Sequence, residues 1–466
     1  MSGGARRTVV LDVVGLTPSL VGEHTPALRA FAARGGLRPL RTITPAVTCS
    51  VQATLLTGAL PREHGCVANG WYFRELAEVW LWRQSNHLVG GDKLWDVARR
   101  RDPAFTVAQL FWWYNMYSAA DWSVTPRPIY CADGLKLPDF YTAPSELHGE
   151  LRARLGDFPL FDFWGPRAGI RSSRWIADCA RHVYDTRKPS VTLVYLPHLD
   201  YDLQRFGPGD PRIARALAEV DAVCGELIEH VERDGARVIV LSEYGITAVR
   251  GAVDINRILR RAGLVAVREE LGTDKLDAGA SEAFAVADHQ IAHVYVRRPE
   301  RVAEVAALLR GVDGIEAVLD SDGKRAAGLD HPRSGELVCV SRADRWFSYY
   351  YWLDDARAPD YARTVDIHRK PGYDPVELFS DASLVKVAWV LARKKLGFRY
   401  LMDVIPLDAT RVRGSHGRPT DDAAAGPCIA SNEPALLGDG PVDATAVRDL
   451  ILAHALGAAN VRVAVA

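Results

Sequence analysis

VVLDVVG, residues 9–15, is a run of branched apolar side chains interrupted by one carboxylate, Asp12. A strand apolar on both faces belongs inside a sheet that is covered on both sides. Three further stretches repeat the arrangement of polar side chains beside a strand end: TPAVTCSVQATLLTG (44–58), YLPHLDYDLQRFGP (195–208) and VIVLSEYG (238–245). A fifth, GSHGR (414–418), arrives far downstream. Residues distant in sequence are therefore expected to converge on one site.

Amphipathic helices separate these strands. Thr25 and Pro26 suit the start of a helix that turns Leu28 and Phe31 inward, and Gly35-Gly36 stops it. A second helix repeats apolar residues at Ile213, Leu217, Val220, Cys224, Leu227 and Val231 before Asp234-Gly235 returns the chain to the strand RVIVLS. Alternating βαβ units predict an α/β fold with a largely parallel central sheet and helices on both faces. In such sheets the ligand crevice lies at the carboxyl ends of the strands, where Asp12, Asp200 and Glu243 fall. Residues 251–340, with IAHVYVRR, VAEVAALLRG and GIEAVLD, read as a smaller inserted α/β lobe, leaving 1–250 and 341–466 as the core. The stretch 419–441 reads as loop.

With 466 residues, 48% of them hydrophobic and 25% charged, the chain can bury one large core and a smaller lobe. A net charge of −1 gives no overall attraction to a nucleic-acid polymer or to anionic lipid. The start MSGGARR lacks the apolar segment of a secretory signal and no stretch approaches a membrane span, so a cytoplasmic protein without membrane insertion is expected. Seven cysteines form no CxxC pair, which speaks against thiolate-bound zinc.

Thr48 is the candidate reactive group. SVQATLLTG can form a helix ending at Gly58, with Thr48 near its N-terminus, where the helix dipole and free N–H groups favour an alkoxide and a phosphate. A threonine hydroxyl is a weak nucleophile unless a base or metal lowers its pKa.

At these residues the chain resembles the alkaline phosphatase superfamily, in its nucleotide pyrophosphatase/phosphodiesterase and phosphonoacetate hydrolase branch. The branch's strand-end Asp resembles Asp12, and its nucleophilic Thr, heading a helix that ends in TG, resembles Thr48. PREHGCVAN is similar to its PxxHG element and supplies Asn69 to hold phosphoryl oxygens. LDYDLQRFGP resembles PDxxGHxxGP, aligning Asp200 and Gln204. SEYG aligns Glu243 and Tyr244 with SDHG, and Ser415-His416-Gly417 matches the last xHG.

The resemblance implies an alkaline phosphatase-like sandwich and two divalent ions. The first site would draw on Asp200, Gln204 and His416, the second on Asp12, Thr48, Glu243 and Tyr244. Zinc is the family's metal, but two histidines are replaced here, and an oxygen-rich set suits Mg²⁺ or Mn²⁺ as well. Asp202, Asp366 or His368 could supply a missing donor. The implied function is metal-dependent hydrolysis of a phosphate mono- or diester, or of a phosphonate, through a phosphothreonine. The alternatives are a catalytically altered or inactive homologue that binds a small phosphorylated ligand, and a phosphomutase on the same centre. Trp71 and Tyr72, close to Asn69, are the candidate substrate contacts. The aromatic segments 111–141 and 346–355 read either as a stacking wall or as core, and DHQIAH (288–293) reads as strand entry. The sequence is compatible with a homo-oligomer.

Overall fold

The computed structural model describes residues 6–457. In chain order its principal strands are β1 (Thr8–Val13), β2 (Leu37–Arg41), β3 (Val107–Leu110), β4 (Trp122–Pro126), β5 (Phe140–Ala143), β6 (Val191–Leu196) and β7 (Arg237–Leu241). They continue as β8 (Ala283–Asp288), β9 (Ile291–Val296), β10 (Ile315–Leu319), β11 (Leu337–Ser341), β12 (Cys428–Ser431) and β13 (Val442–Asp443). Among the described residues, the main sheet runs in the order β13-β2-β12-β7-β1-β6-β3-β4-β5. β1 is parallel to both β6 and β7, β6 to β3, and β3 to β4. Antiparallel pairing enters where β12 meets β7 and β2, and where β5 meets β4.

The period of two along a strand divides the core. Val9, Leu11 and Val13 pack into a cluster with Leu28 and Phe31 of α1 (Pro26–Gly35), and with Leu217 and Val220 of α5, the helix Ile213–Glu232. Between those two helices in the chain lie α2 (Thr48–Thr57), α3 (Ile170–Arg187) and α4 (His198–Phe206). α3 and α4 join the same face through Ile176 and Leu199. Val10 points the other way, into a cluster with Val51 and Leu55 of α2 and the later residues Leu450 and Ile451. Each fully buried branched side chain contributes roughly 1.5–3 kcal/mol, so Leu11→Ala is expected to cost about 2–5 kcal/mol. Asp12 shares the face of Val10 and is thereby aimed at α2.

The lobe is an antiparallel sheet in the order β8-β9-β11-β10. Its core extends from Val253 to Ala362 and absorbs Phe347, Tyr349, Tyr350, Tyr351 and Trp352, so the second aromatic segment is core. The strand Gly251–Val253 pairs with Arg345–Phe347, so residues on both sides of 340 share this packing. No helix among the described residues is long and apolar enough to cross a membrane.

Candidate active site

Register brings the strand tips together. Asp12 lies opposite Tyr195 of β6 and Leu241 of β7. β6 passes through Pro197 into α4, which carries Asp200 and Gln204 one turn apart, and Glu243 and Tyr244 follow β7 directly. Thr48 is the first residue of α2, a helix buried along its whole length and closed by Gly58 in the left-handed conformation. His416 arrives beside Thr247, where Gly414 rides on α4 so closely that a Cβ there would meet the Leu203 carbonyl oxygen at 2.1 Å. The Ala46 N–H donates to the Gly417 carbonyl at 2.9 Å and fastens the Thr48 loop to the His416 loop.

Thr48, Tyr244 and Asp200 form one hydrogen-bonded chain. Thr48 Oγ1 lies 3.1 Å from the Tyr244 hydroxyl, which donates to Asp200 Oδ1 at 3.3 Å. Gln204 Nε2 donates to Asp200 Oδ2 at 2.6 Å, and its carbonyl accepts from Tyr373 at 3.0 Å. Burial pushes the Asp200 carboxyl up to about 7. It also holds the Tyr244 phenol well above its ordinary range, so the phenol stays protonated. His416 gives Nδ1–H to the Ala46 carbonyl at 2.8 Å, and burial keeps the ring neutral by pushing its pKa well below the usual value. Its bare Nε2 faces Asp200 Oδ1 at 3.8 Å, and its ring stacks on Tyr244 with centroids 3.5 Å apart.

A second cluster lies across Thr48. Gln52, one turn along α2 from Thr48, sends its amide nitrogen to Glu243 Oε1 at 2.5 Å and Asp12 Oδ2 at 3.2 Å, while its carbonyl accepts from Trp113 N–H at 2.7 Å. Asp12 Oδ1 and Glu243 Oε2 are buried without a hydrogen-bond partner, and the Thr48 hydroxyl also approaches the Glu243 carboxyl. The two carboxyls are within hydrogen-bond reach of each other, and burial raises both, Asp12 further because of Glu243's charge. One proton held between them satisfies both free oxygens.

Asn69 accepts from the Cys49 N–H at 2.9 Å and donates from Nδ2 to Asp288 Oδ1 at 3.0 Å. These bonds fix the amide's orientation and leave one Nδ2 hydrogen for a ligand beside the α2 N-terminus. Asp288, at the end of β8, also accepts from His289 Nδ1 at 2.7 Å. His289 stacks between Tyr373 and His416, with centroids at 3.6 and 3.7 Å.

Gln52 and Tyr373 were not candidates from sequence, and Asp288 and His289 lie in DHQIAH, which reads there as strand entry. The four-residue spacing from Thr48 could have flagged Gln52, since it puts both on one helix face. The hairpin residues Asp288 and His289 carry no such local signal. Of the spare donors, Asp202 is paired with Arg205 at 2.8 Å and Asp366 with Arg369 at 3.2 Å. His368 sits among Lys136, Asp366, Arg83 and the Leu81 backbone, outside the Thr48 cluster. Trp71 is buried with Cys49, Val67 and Trp113 behind α2, and Tyr72 packs edge-on against Phe284 and Tyr295 of the lobe. Both side chains are occupied in packing.

The profile of the type I phosphodiesterase / nucleotide pyrophosphatase family matches residues 8–374. The chain belongs to this family. It is 25% identical over 230 residues to an uncharacterized pyrophosphatase/phosphodiesterase of Schizosaccharomyces pombe, a match covering 48% of this chain and 41% of that relative. The chain thus spans less than half of that relative's length. Its fold is similar to phosphonoacetate hydrolase from Sinorhizobium meliloti in complex with phosphonoformate, with TM-score 0.63 and 14% identity over 97% of this chain and 96% of the other. It is also similar to murine ectonucleotide pyrophosphatase/phosphodiesterase 5, inactive and in complex with AMP, with TM-score 0.57 and 13% identity over 98% and 96% of the two chains. The sheet and its flanking helices are those of the alkaline phosphatase-like fold.

Within this family two divalent ions are expected, and the donor chemistry here does not fit them. A metal ligand must present a lone pair. Gln204 instead turns its N–H toward Asp200, and the protonated Tyr244 phenol donates to the same carboxylate. The Gln52 amide directs hydrogens at Asp12 and Glu243, the carboxylates that would hold the second ion. No group of three or more His, Cys, Asp or Glu side chains among the described residues is arranged to hold a metal ion. Gln204 and Tyr244, expected from sequence as ligands, here both donate hydrogen bonds to Asp200.

Proposed function

We propose that this chain hydrolyses a small phosphate ester or phosphonate at Thr48, with the Tyr244–Asp200 pair taking the part that bound cations play elsewhere in the family. The observation that carries the reading is the unbroken chain from Thr48 Oγ1 through the Tyr244 hydroxyl to Asp200 Oδ1. As Thr48 Oγ1 bonds to phosphorus, its proton passes to Tyr244 while Tyr244's proton passes to Asp200. The bond to the leaving group breaks, and that group leaves with its electron pair and takes a proton from water. The hydroxide left by that transfer then attacks the phosphothreonine, and Asp200 returns its proton through Tyr244 to the departing Thr48 oxygen. The free Asn69 hydrogen and the α2 N-terminus hold the phosphoryl oxygens.

Charge narrows the substrate. Among the described residues no Lys or Arg pairs with Asp12, Asp200 or Glu243, and a unit charge near a buried carboxylate meets a repulsion of about 4 kcal/mol at ~4 Å. A singly charged diester is favoured over a doubly charged monoester. A second reading, ligand binding without turnover, draws support from the burial of Thr48, which is 3% exposed. Turnover of nucleotide diesters, phosphonoacetate and monoesters, with mass spectrometry for phosphothreonine, separates the two. Diester turnover with label on Thr48 is the expected result. Binding without product supports the second reading, and neither binding nor turnover overturns both.

A further inference from the structure

We propose that α7, the helix Leu384–Lys395 that follows α6 (Val302–Arg310) in the chain, docks this protein on the surface of an anionic phospholipid bilayer. The helix is held to the body by a narrow seam, the buried Val390 and half-buried Val387. Ser383 caps its first turn by accepting from the Lys386 N–H, and Lys386 itself pairs with Asp403 at 2.9 Å. The outward side is apolar. Leu384, Val385, Ala388, Trp389, Ala392 and Leu396 recur at three- and four-residue spacing and face solvent, with Leu384 87%, Trp389 64% and Leu396 72% exposed. Phe398 and Leu401, just beyond the helix, are exposed as well. Soluble surfaces seldom leave so many large apolar side chains together in water, and a patch of this kind marks an interaction site.

Charge selects the occupant. Residues 384–401 hold Lys386, Arg393, Lys394, Lys395 and Arg399 and no Asp or Glu. Arg393, Lys394, Lys395 and Arg399 have no carboxylate partner among the described residues, and Lys394 lies instead over the Tyr400 ring at 5.5 Å. The near-neutral charge of the whole chain conceals this local excess. A second copy of the chain fits poorly, because a two-fold pairing would set these cations against one another. The apolar arc is also broader than the narrow seam of a coiled-coil partner. A wide apolar face containing Trp, bordered by Lys and Arg, is what a helix lying in the membrane interface requires. Twelve residues are too few to span a bilayer, so α7 lies along its surface.

The test is sedimentation of the full chain with vesicles of phosphatidylcholine alone and of equal parts phosphatidylcholine and phosphatidylserine. Binding is expected to the mixed vesicles and to weaken with salt, each unpaired basic residue contributing roughly fivefold to partitioning. Trp389→Ser with Leu396→Ser, and separately Arg393→Gln with Lys395→Gln, are each expected to lower it at least about tenfold. Both pairs are solvent-exposed, so unchanged circular dichroism and melting temperature verify that the fold is intact. Absence of wild-type binding to either vesicle, or equal binding by both variants, overturns the proposal. So does a wild-type dimer in analytical ultracentrifugation that the apolar variant abolishes without any vesicle binding.

Discussion

The Gln52 side-chain amide donates to Glu243 at 2.5 Å and so stands between the two carboxylates that end β1 and follow β7. Three buried groups depend on it, since its carbonyl also accepts the Trp113 N–H. Gln52→Leu keeps the volume and removes every one of these bonds. Leaving a buried polar group unpaired costs about 1–3 kcal/mol, so the loss in urea denaturation is expected to reach at least that range. A change within a few tenths of a kcal/mol would show that the carboxylates do not need the amide.

Gln204 and Tyr244 present hydrogens rather than lone pairs to Asp200, and the proposed proton path routes no step through an ion. Phosphodiester turnover is expected to be the same before and after dialysis against a strong chelator. Gln204→His with Tyr244→His restores two imidazoles, and this variant is expected to bind a divalent ion that the wild type does not, as measured by inductively coupled plasma mass spectrometry. A wild-type protein that retains one or two ions per chain through purification would contradict this donor arrangement.

The fold was legible because its signals are local. The branched run at 9–15 and the helical repeat at 213–231 each specify an element and the face it buries, and β1 and α5 appear where those patterns lie. The convergence of Asp12, Asp200 and Glu243 was legible for a related reason, since parallel strands deliver their carboxyl ends to one edge, whereas His416 arrives just after a separate two-stranded pairing of Ser415 with Thr247. What the sequence did not reveal depends on side chains meeting across long loops. Tyr373 reaches Gln204 from 169 positions away, and Asp288 reaches Asn69 from 219. The orientation of an amide was also invisible. Gln204 reads as a poor substitute for histidine until Tyr373 is seen on its carbonyl, which turns its nitrogen toward Asp200. Nearness in sequence to Asn69 says nothing of the face Trp71 takes, and its side chain packs with Cys49, Val67 and Trp113.

Tyr244 offers a sharper test of the proton path. Tyr244→Phe keeps the stacking on His416 and removes only the hydroxyl between Thr48 and Asp200. A positioned proton acceptor contributes typically about 10²–10⁴-fold, and kcat is expected to fall within that range with KM little changed. Thr48→Ala should be at least as impaired and should carry no phosphoryl label. Equal turnover by wild type and Tyr244→Phe would remove the phenol from the mechanism.

Asp200 links the same path to stability. Burial penalises the charge and pushes its carboxyl up to about 7 in the folded protein, from the ordinary 3.8 of a free aspartate. The native state therefore holds a proton that the unfolded chain has lost between those two values. This contribution to stability is fully present below about pH 4 and is lost as pH rises toward 7. Asp200→Asn cannot titrate, and its stability is expected to decline less steeply than that of the wild type across that interval in urea melts. Turnover follows the opposite sense, since only ionised Asp200 can accept the proton from Tyr244, and is expected to rise through pH 7. Parallel stability curves for wild type and Asp200→Asn would mean that Asp200 is already ionised in the folded protein at acid pH, and the rise in turnover would need another group.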